Sequence, residues 1–126
     1  MLSYNEQFQI ALELAVEKHK NQTDKAGNPY ILHPLHVMEN VNSKEGKIVA
    51  ILHDIIEDCN VSQNGKELIK DYLLDEEVVE IVKILSKHPK RKKFPWDKVY
   101  NPEEYFMNIS HNWKATLIKI ADCKRK

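Results

Sequence analysis

Nineteen Lys and Arg stand against nineteen Asp and Glu, so the 126-residue chain lacks net charge. With that balance goes any electrostatic reason to expect a dedicated nucleic-acid surface or an anionic membrane as partner. Cysteine is scarce too: Cys59 and Cys123 stand in no metal-like spacing, which gives no disulfide framework and leaves two reduced thiols. No stretch approaches the roughly 18 apolar residues of a membrane span. The N-terminal "MLSYNEQFQI" has neither the basic start nor the apolar run of a signal peptide. These absences point to a cytoplasmic protein. No run alternates convincingly as a strand, and there is no internal repeat or low-complexity tract. What remains is one domain over residues 1–126, long enough to bury roughly two-thirds of its unfolded surface around a single core.

Helices fill that domain. Tyr4, Phe8, Ala11, Leu12, Ala15 and His19 fall at helical spacing behind a Ser3/Glu6 capping box, which predicts a first helix over about 4–20. "NQTDKAGNPYILH" holds Gly27, Asn28 and Pro29 and reads as an ordered loop, because Tyr30, Ile31 and Leu32 give it something to bury. Pro34 suits the first position of a short helix, "PLHVMENV". Residues 44–58 make a third helix, "NGKELIKDYL" a fourth, and Asp75 caps a fifth, "EEVVEIVKILSK". After the Pro-containing "KHPKRKKFPWDKVY", Asn101 and Pro102 open "EEYFMNIS", and "NWKATLIKIADCK" is a last helix. Trp96 and Trp113 read as packing residues, since no groove of interleaved aromatics accompanies them. The expected fold class is all-α, a bundle of six to eight helices.

Within the third helix, "IVAILHDIIED" (48–58) begins apolar and ends in charge. His53 and Glu57 are four apart on one stripe, and Asp54 and Asp58 share the adjacent one. Apolar residues occupy most of the remaining circumference, so the helix reads as buried, where unpaired charge costs several kcal/mol. A divalent cation would offset those carboxylates and accept the imidazole. A second imidazole, His33, precedes Pro34, and a late carboxylate, Asp122, interrupts the apolar "LIKIAD". Two histidines and two aspartates suit manganese, iron or zinc better than calcium or magnesium.

"GNPYILHPLHV", "LHDIIED", "EEYF" and "IKIAD" follow one another in the order and spacing of HD-domain phosphohydrolases. Over roughly residues 8–123 the chain resembles the branch that contains the hydrolase domains of RelA/SpoT-type alarmone enzymes. The resemblance implies an all-helical HD-domain bundle in which His33, His53, Asp54 and Asp122 hold a divalent metal. Manganese is the first choice, with iron, zinc or nickel as alternatives. It implies that Glu57 and Asp58 activate water and handle protons, and that the substrate is a phosphorylated nucleotide, foremost (p)ppGpp cleaved at its 3′-pyrophosphate. Lys25 matches a basic position of the family's substrate loop, and Tyr30 either stacks on a base or packs the loop onto the core.

Two positions depart from the pattern. Alarmone hydrolases commonly carry Arg-Lys before the loop glycine where this chain has Asp24-Lys25, and a late Asn where it has Lys126. A second class of function therefore stands beside the enzyme: a degenerate HD module that binds metal or nucleotide without turnover, or a phosphohydrolase for another nucleotide or dinucleotide. His36, one turn after His33, is expected outside the ligand set.

Overall fold

The structure, a computed structural model, describes residues 2–55, 66–87, 95 and 98–124. Glu57, Asp58, Cys59, His88, Trp96 and Lys126 lie outside the described residues. Within them the chain forms α1 (Tyr4–Lys18), α2 (Leu32–Glu39), α3 (Lys44–Leu52), α4 (Lys66–Lys70), α5 (Glu76–Leu85), α6 (Pro102–Ser110) and α7 (Trp113–Lys124). No sheet occurs among the described residues; an isolated antiparallel bridge joins Thr23 to Pro29. This is the all-α architecture that the helical periodicity predicts.

Side-chain caps set most helix starts. Ser3 and Glu6 exchange hydrogen bonds at the head of α1, Ser43 accepts from the Gly46 N–H at 2.9 Å, and Asp75 accepts from that of Glu77 at 2.8 Å. Asn101 does the same for Glu104, with Pro102 as the first helical residue of α6, and Asn112 receives the Ala115 N–H. Each satisfies a donor that the helix itself leaves orphaned.

α3 is the axis of the bundle. Ile48, Val49, Ala50, Ile51 and Leu52 are wholly buried, because α1 and α2 pack along it while α5 and α7 close the other sides. A helix covered all round needs no polar face, which explains the unbroken apolar run. Buried Gln7 couples α1 to α5: its Oε1 accepts from the Asp75 N–H at 2.8 Å and its Nε2 donates to the Leu2 carbonyl at 3.0 Å.

Three expectations need correction. The helix expected over 44–58 ends at Leu52, and His53 and Asp54 form a turn. The helix expected to open at Pro34 begins at Leu32. Pro34 is tolerated there because first-turn N–H groups have no intrahelical acceptor to lose. Trp113, read as a packing residue, is 69% exposed, with the Lys114 ammonium 5.6 Å from its ring centre.

Gly46 in α3 packs closely against the segment that joins α2 to α3: an added Cβ would lie 2.5 Å from Val41 Cγ1 and 2.6 Å from Ser43 Oγ. Gly46→Ala gains about 1 kcal/mol of helix propensity but overpacks the contact at about 1–3 kcal/mol and disturbs the cap. We expect a net loss, seen as a melting temperature several degrees lower by circular dichroism. An unchanged or higher melting temperature would show that Val41 and Ser43 can yield.

Candidate metal centre

The end of α3 is made by the side chain of His53. Its Nδ1 donates to the Ala50 carbonyl, the acceptor that the Asp54 N–H would use if the helix continued. The ring thus competes with the backbone for that oxygen, and the chain leaves the helix at the doublet. Because a carbonyl only accepts, Nδ1 carries a proton. Nε2 points the other way, 3.1 Å from Asp54 Oδ2 and 3.5 Å from Asp122 Oδ1. It is buried and makes no aligned hydrogen bond.

His33 arrives from the first turn of α2 and Asp122 from the last turn of α7. His33 Nε2 donates to Asp122 Oδ1 at 2.9 Å and lies 3.6 Å from Asp54 Oδ2. His33, His53 and Asp54 each place one ligand-type atom within 4.8 Å of the others, and Asp122 joins them through both imidazoles. The four side chains singled out in the sequence therefore meet, from three separate segments. The donor set is two imidazole nitrogens and carboxylate oxygens, with a buried nitrogen left unbonded. It fits a first-row divalent ion chemically.

Electrostatics tell the same story for the protons. Burial drives the His53 pKa down, but the Asp122 and Asp54 carboxylates more than reverse it, and the pKa is pushed up to about 10. Burial alone would raise the Asp54 pKa; the close, positively charged His53 imidazole, with the Tyr30 hydroxyl, holds it below the usual carboxylate range.

Tyr30 supplies a contact that sequence reasoning missed. Its hydroxyl donates to Asp54 Oδ2 at 2.8 Å, and its ring lies 5.0 Å from that of His19 and 5.7 Å from that of His33. Tyr30 is held by its loop, where Asp24 Oδ1 accepts from the N–H groups of Ala26 and Asn28, both at 2.9 Å, and Gly27 takes the left-handed φ of +86° that glycine adopts without strain. The Tyr30 N–H closes the loop onto the Gln22 carbonyl at 2.9 Å. Asp24, the departure from the family pattern noted in the sequence, thus spends its carboxylate on its own backbone. Lys25 is exposed beside it, on an open groove that also takes in Asn28, Tyr30, His33 and His36.

The four clustered side chains line a cavity of about 210 Å³ together with Tyr30, Leu85, Lys87, Tyr105, Ile118 and Lys119. Sequence reasoning missed Lys87, Tyr105 and Lys119. Lys119 was legible, since it precedes Asp122 by three and shares its helix face. Lys87 was not, and the "EEYF" motif that holds Tyr105 gave it no place at the site, because tertiary packing alone brings both here.

Comparison with known proteins gives the same outline. The family model described as HD domain matches residues 11–118, a span that takes in His33, His53 and Asp54 and stops short of Asp122. The guanosine-3′,5′-bis(diphosphate) 3′-pyrophosphohydrolase of Borreliella burgdorferi is 31% identical over 118 residues, 89% of this chain and 17% of that protein. The protein of the same name from Aquifex aeolicus is 33% identical over 121 residues, 93% of this chain and 17% of that protein. The GTP pyrophosphokinase rsh of Brucella melitensis is 32% identical over 114 residues, 86% and 15%. The chain spans about a sixth of the length of these curated relatives. A solved structure described as a metazoan ortholog of SpoT that hydrolyzes ppGpp and plays a role in starvation responses superposes with a TM-score of 0.68. It is 24% identical, over 92% of this chain and 65% of that one, a likeness of fold.

The His53 and Asp54 shifts give the metal-free chain a defined pH response. His53 is raised from 6.5 to about 10, so its contribution to stability is complete below pH 6.5 and is lost as pH rises toward 10. Asp54 is lowered from 3.8, so its contribution is present above that pH and is lost as pH falls through the depressed value. In chelator, melting temperature should therefore decline between pH 7 and 10, and His53→Gln should flatten that decline. Stabilisation by an added divalent ion should run the opposite way, growing with pH because the ion displaces the His53 proton. Thermal melts across pH with and without the ion check both slopes.

Proposed function

The chain belongs to the HD-domain family, and from that membership and the clustered side chains we propose that it is a metal-dependent phosphohydrolase acting on a phosphorylated nucleotide, with 3′-pyrophosphohydrolysis of (p)ppGpp as the leading reaction. The observation that carries this reading is the buried His53 Nε2, turned toward Asp54 and Asp122 with no aligned hydrogen bond. A structural histidine in a core is normally satisfied; one aimed at two carboxylates beside a second imidazole is built for a cation. Relatives named 3′-pyrophosphohydrolase, about a third identical across most of the chain, support the substrate class.

His33, His53, Asp54 and Asp122 would hold the ion, with manganese first and iron, zinc or nickel as alternatives. Bound there, the ion supplies Lewis acidity, which acidifies water and polarises a phosphoryl oxygen. The chain's own residues do the rest. Glu57 and Asp58 orient the attacking water and take its proton, a role that carboxylates commonly fill. Tyr30 fixes the Asp54 carboxylate through its hydroxyl, while its ring and the Lys25 ammonium face the substrate from the groove.

A second reading, hydrolysis of a different phosphorylated nucleotide, is favoured by Asp24. Its carboxylate organises the loop backbone where alarmone hydrolases commonly present an arginine to the nucleotide.

A panel of phosphorylated nucleotides incubated with manganese-loaded protein, read for phosphate and pyrophosphate release, separates these readings. Glu57→Gln should retain metal and lose turnover by about 10²–10⁴-fold, whereas Asp54→Ala should lose the metal, as elemental analysis reports. Wild type and Glu57→Gln equally inert on every nucleotide with metal bound would sink the enzyme and leave a binding module.

A further inference from the structure

The cavity that holds the two histidines also carries two cations on one aromatic ring. Lys119 Nζ lies 5.6 Å from the centre of the Tyr105 ring and Lys87 Nζ 5.7 Å from it, with the Tyr100 ring also 5.7 Å from Lys87 Nζ. Tyr105 is a fixed platform: it is 7% exposed and its hydroxyl donates to the Leu85 carbonyl at 2.9 Å.

Neither ammonium is well satisfied. The Lys119 side chain is only 18% exposed, yet its carboxylate neighbour among the described residues is Asp122 Oδ2 at 3.5 Å, well beyond the roughly 2.7–2.9 Å of a good charge-assisted hydrogen bond. Lys87, half-buried at the end of α5, has no carboxylate partner among the described residues. Lysine side chains normally turn their heads to water. Two that instead rest on a ring inside one cavity keep donors available for an anion. At about 210 Å³ the cavity is smaller than the roughly 300–1,000 Å³ of sites that enclose a whole organic ligand, so a compact group fits and the remainder of a larger molecule stays outside.

We propose that Lys87 and Lys119, mounted on Tyr105, form a phosphate-holding wall that takes the phosphoryl or pyrophosphoryl end of the substrate and leaves its nucleoside outside the cavity. This rests on the phosphohydrolase reading for its substrate but on the two lysines for its geometry. Lys119 has a double task, because the ammonium that meets the anion also faces the Asp122 oxygen turned away from the histidines.

Calorimetric titration with pyrophosphate, at fixed free manganese so that complexation in solution is common to all variants, tests the assignment. Lys87→Ala and Lys119→Gln should each weaken binding about tenfold or more, Lys119→Arg should keep it within about threefold, and Lys83→Ala, an equal loss of charge outside the cavity, should leave it unchanged. Melting curves establish that each variant is folded, and Lys87→Ala decides alone if the Lys119 variants are not. Equal affinity in wild type, Lys87→Ala and Lys119→Gln overturns the proposal, as does absence of pyrophosphate binding by the wild type. So does a wild type that hydrolyses a nucleotide while both variants keep its KM. Failure of the phosphohydrolase reading looks different: no nucleotide is hydrolysed, yet pyrophosphate affinity still depends on both lysines.

Discussion

The imidazole of His53 is wedged between the Ala50 carbonyl and the carboxylates of Asp54 and Asp122, at a depth where an uncompensated charge costs several kcal/mol. With Nδ1 committed to the carbonyl, Nε2 can face two anions only if a proton or a cation stands between them. Without metal the proton is the answer, and it pairs with the carboxylates to form a small ionic cluster. Such a cluster is poor value as a stabilising device, since well-packed apolar groups would serve a core better. Its place at the end of the buried axial helix is therefore a mark of use rather than of stability.

The rest of the centre is arranged in a hierarchy that begins in a loop. Asp24 and Gly27 shape the turn, the Gln22 carbonyl fixes the Tyr30 backbone, and the Tyr30 hydroxyl fixes Asp54. His33 follows three residues later, where the same segment becomes α2. The loop therefore delivers one cluster residue directly and orients another, through hydrogen bonds that do not depend on metal. Loops that carry function are usually positioned by the scaffold beneath them. Here the turn is also shaped by an aspartate that a comparison by residue type alone would score as a damaging change of charge.

Much of this was legible in the sequence because helices advertise themselves. Capping residues at Ser3, Asp75 and Asn101 marked starts that the structure places at the same positions, and the apolar run at 48–52 marked the buried axis. The convergence of His33, His53, Asp54 and Asp122 was legible only through family spacing, since no local pattern links residues 89 apart. The break after Leu52 was hidden because its cause is a side chain taking a backbone acceptor; periodicity sees only an apolar helix running on. Trp113 was misread because residue type predicts burial on average, whereas its place in the first turn of α7 leaves it outside the bundle. Lys87 carries no signal until α5 is packed against α6 and α7, and Tyr105, though inside the "EEYF" motif, shows its place beside the two lysines only then.

Helix α7 shows how such a centre can be built before anything binds. Near its N-terminus, Lys114 reaches Glu45 Oε1 at 2.7 Å and Glu77 Oε1 at 2.6 Å, which ties it to the first turns of α3 and α5. Hydrogen bonds to both glutamates hold the Lys114 pKa above its ordinary value. Eight residues on, about 12 Å along the axis, Asp122 enters the ionic cluster. Ala115, Ile118 and Ala121 bury the face between the two points. The height of Asp122 relative to His33 and His53 is thus set by a charged clamp and apolar packing that need no ion. An ion entering the cluster then displaces a proton from groups already in place instead of having to order them. Because ordering side chains is a main cost of association, a centre assembled in this way can give most of its binding energy to the ion.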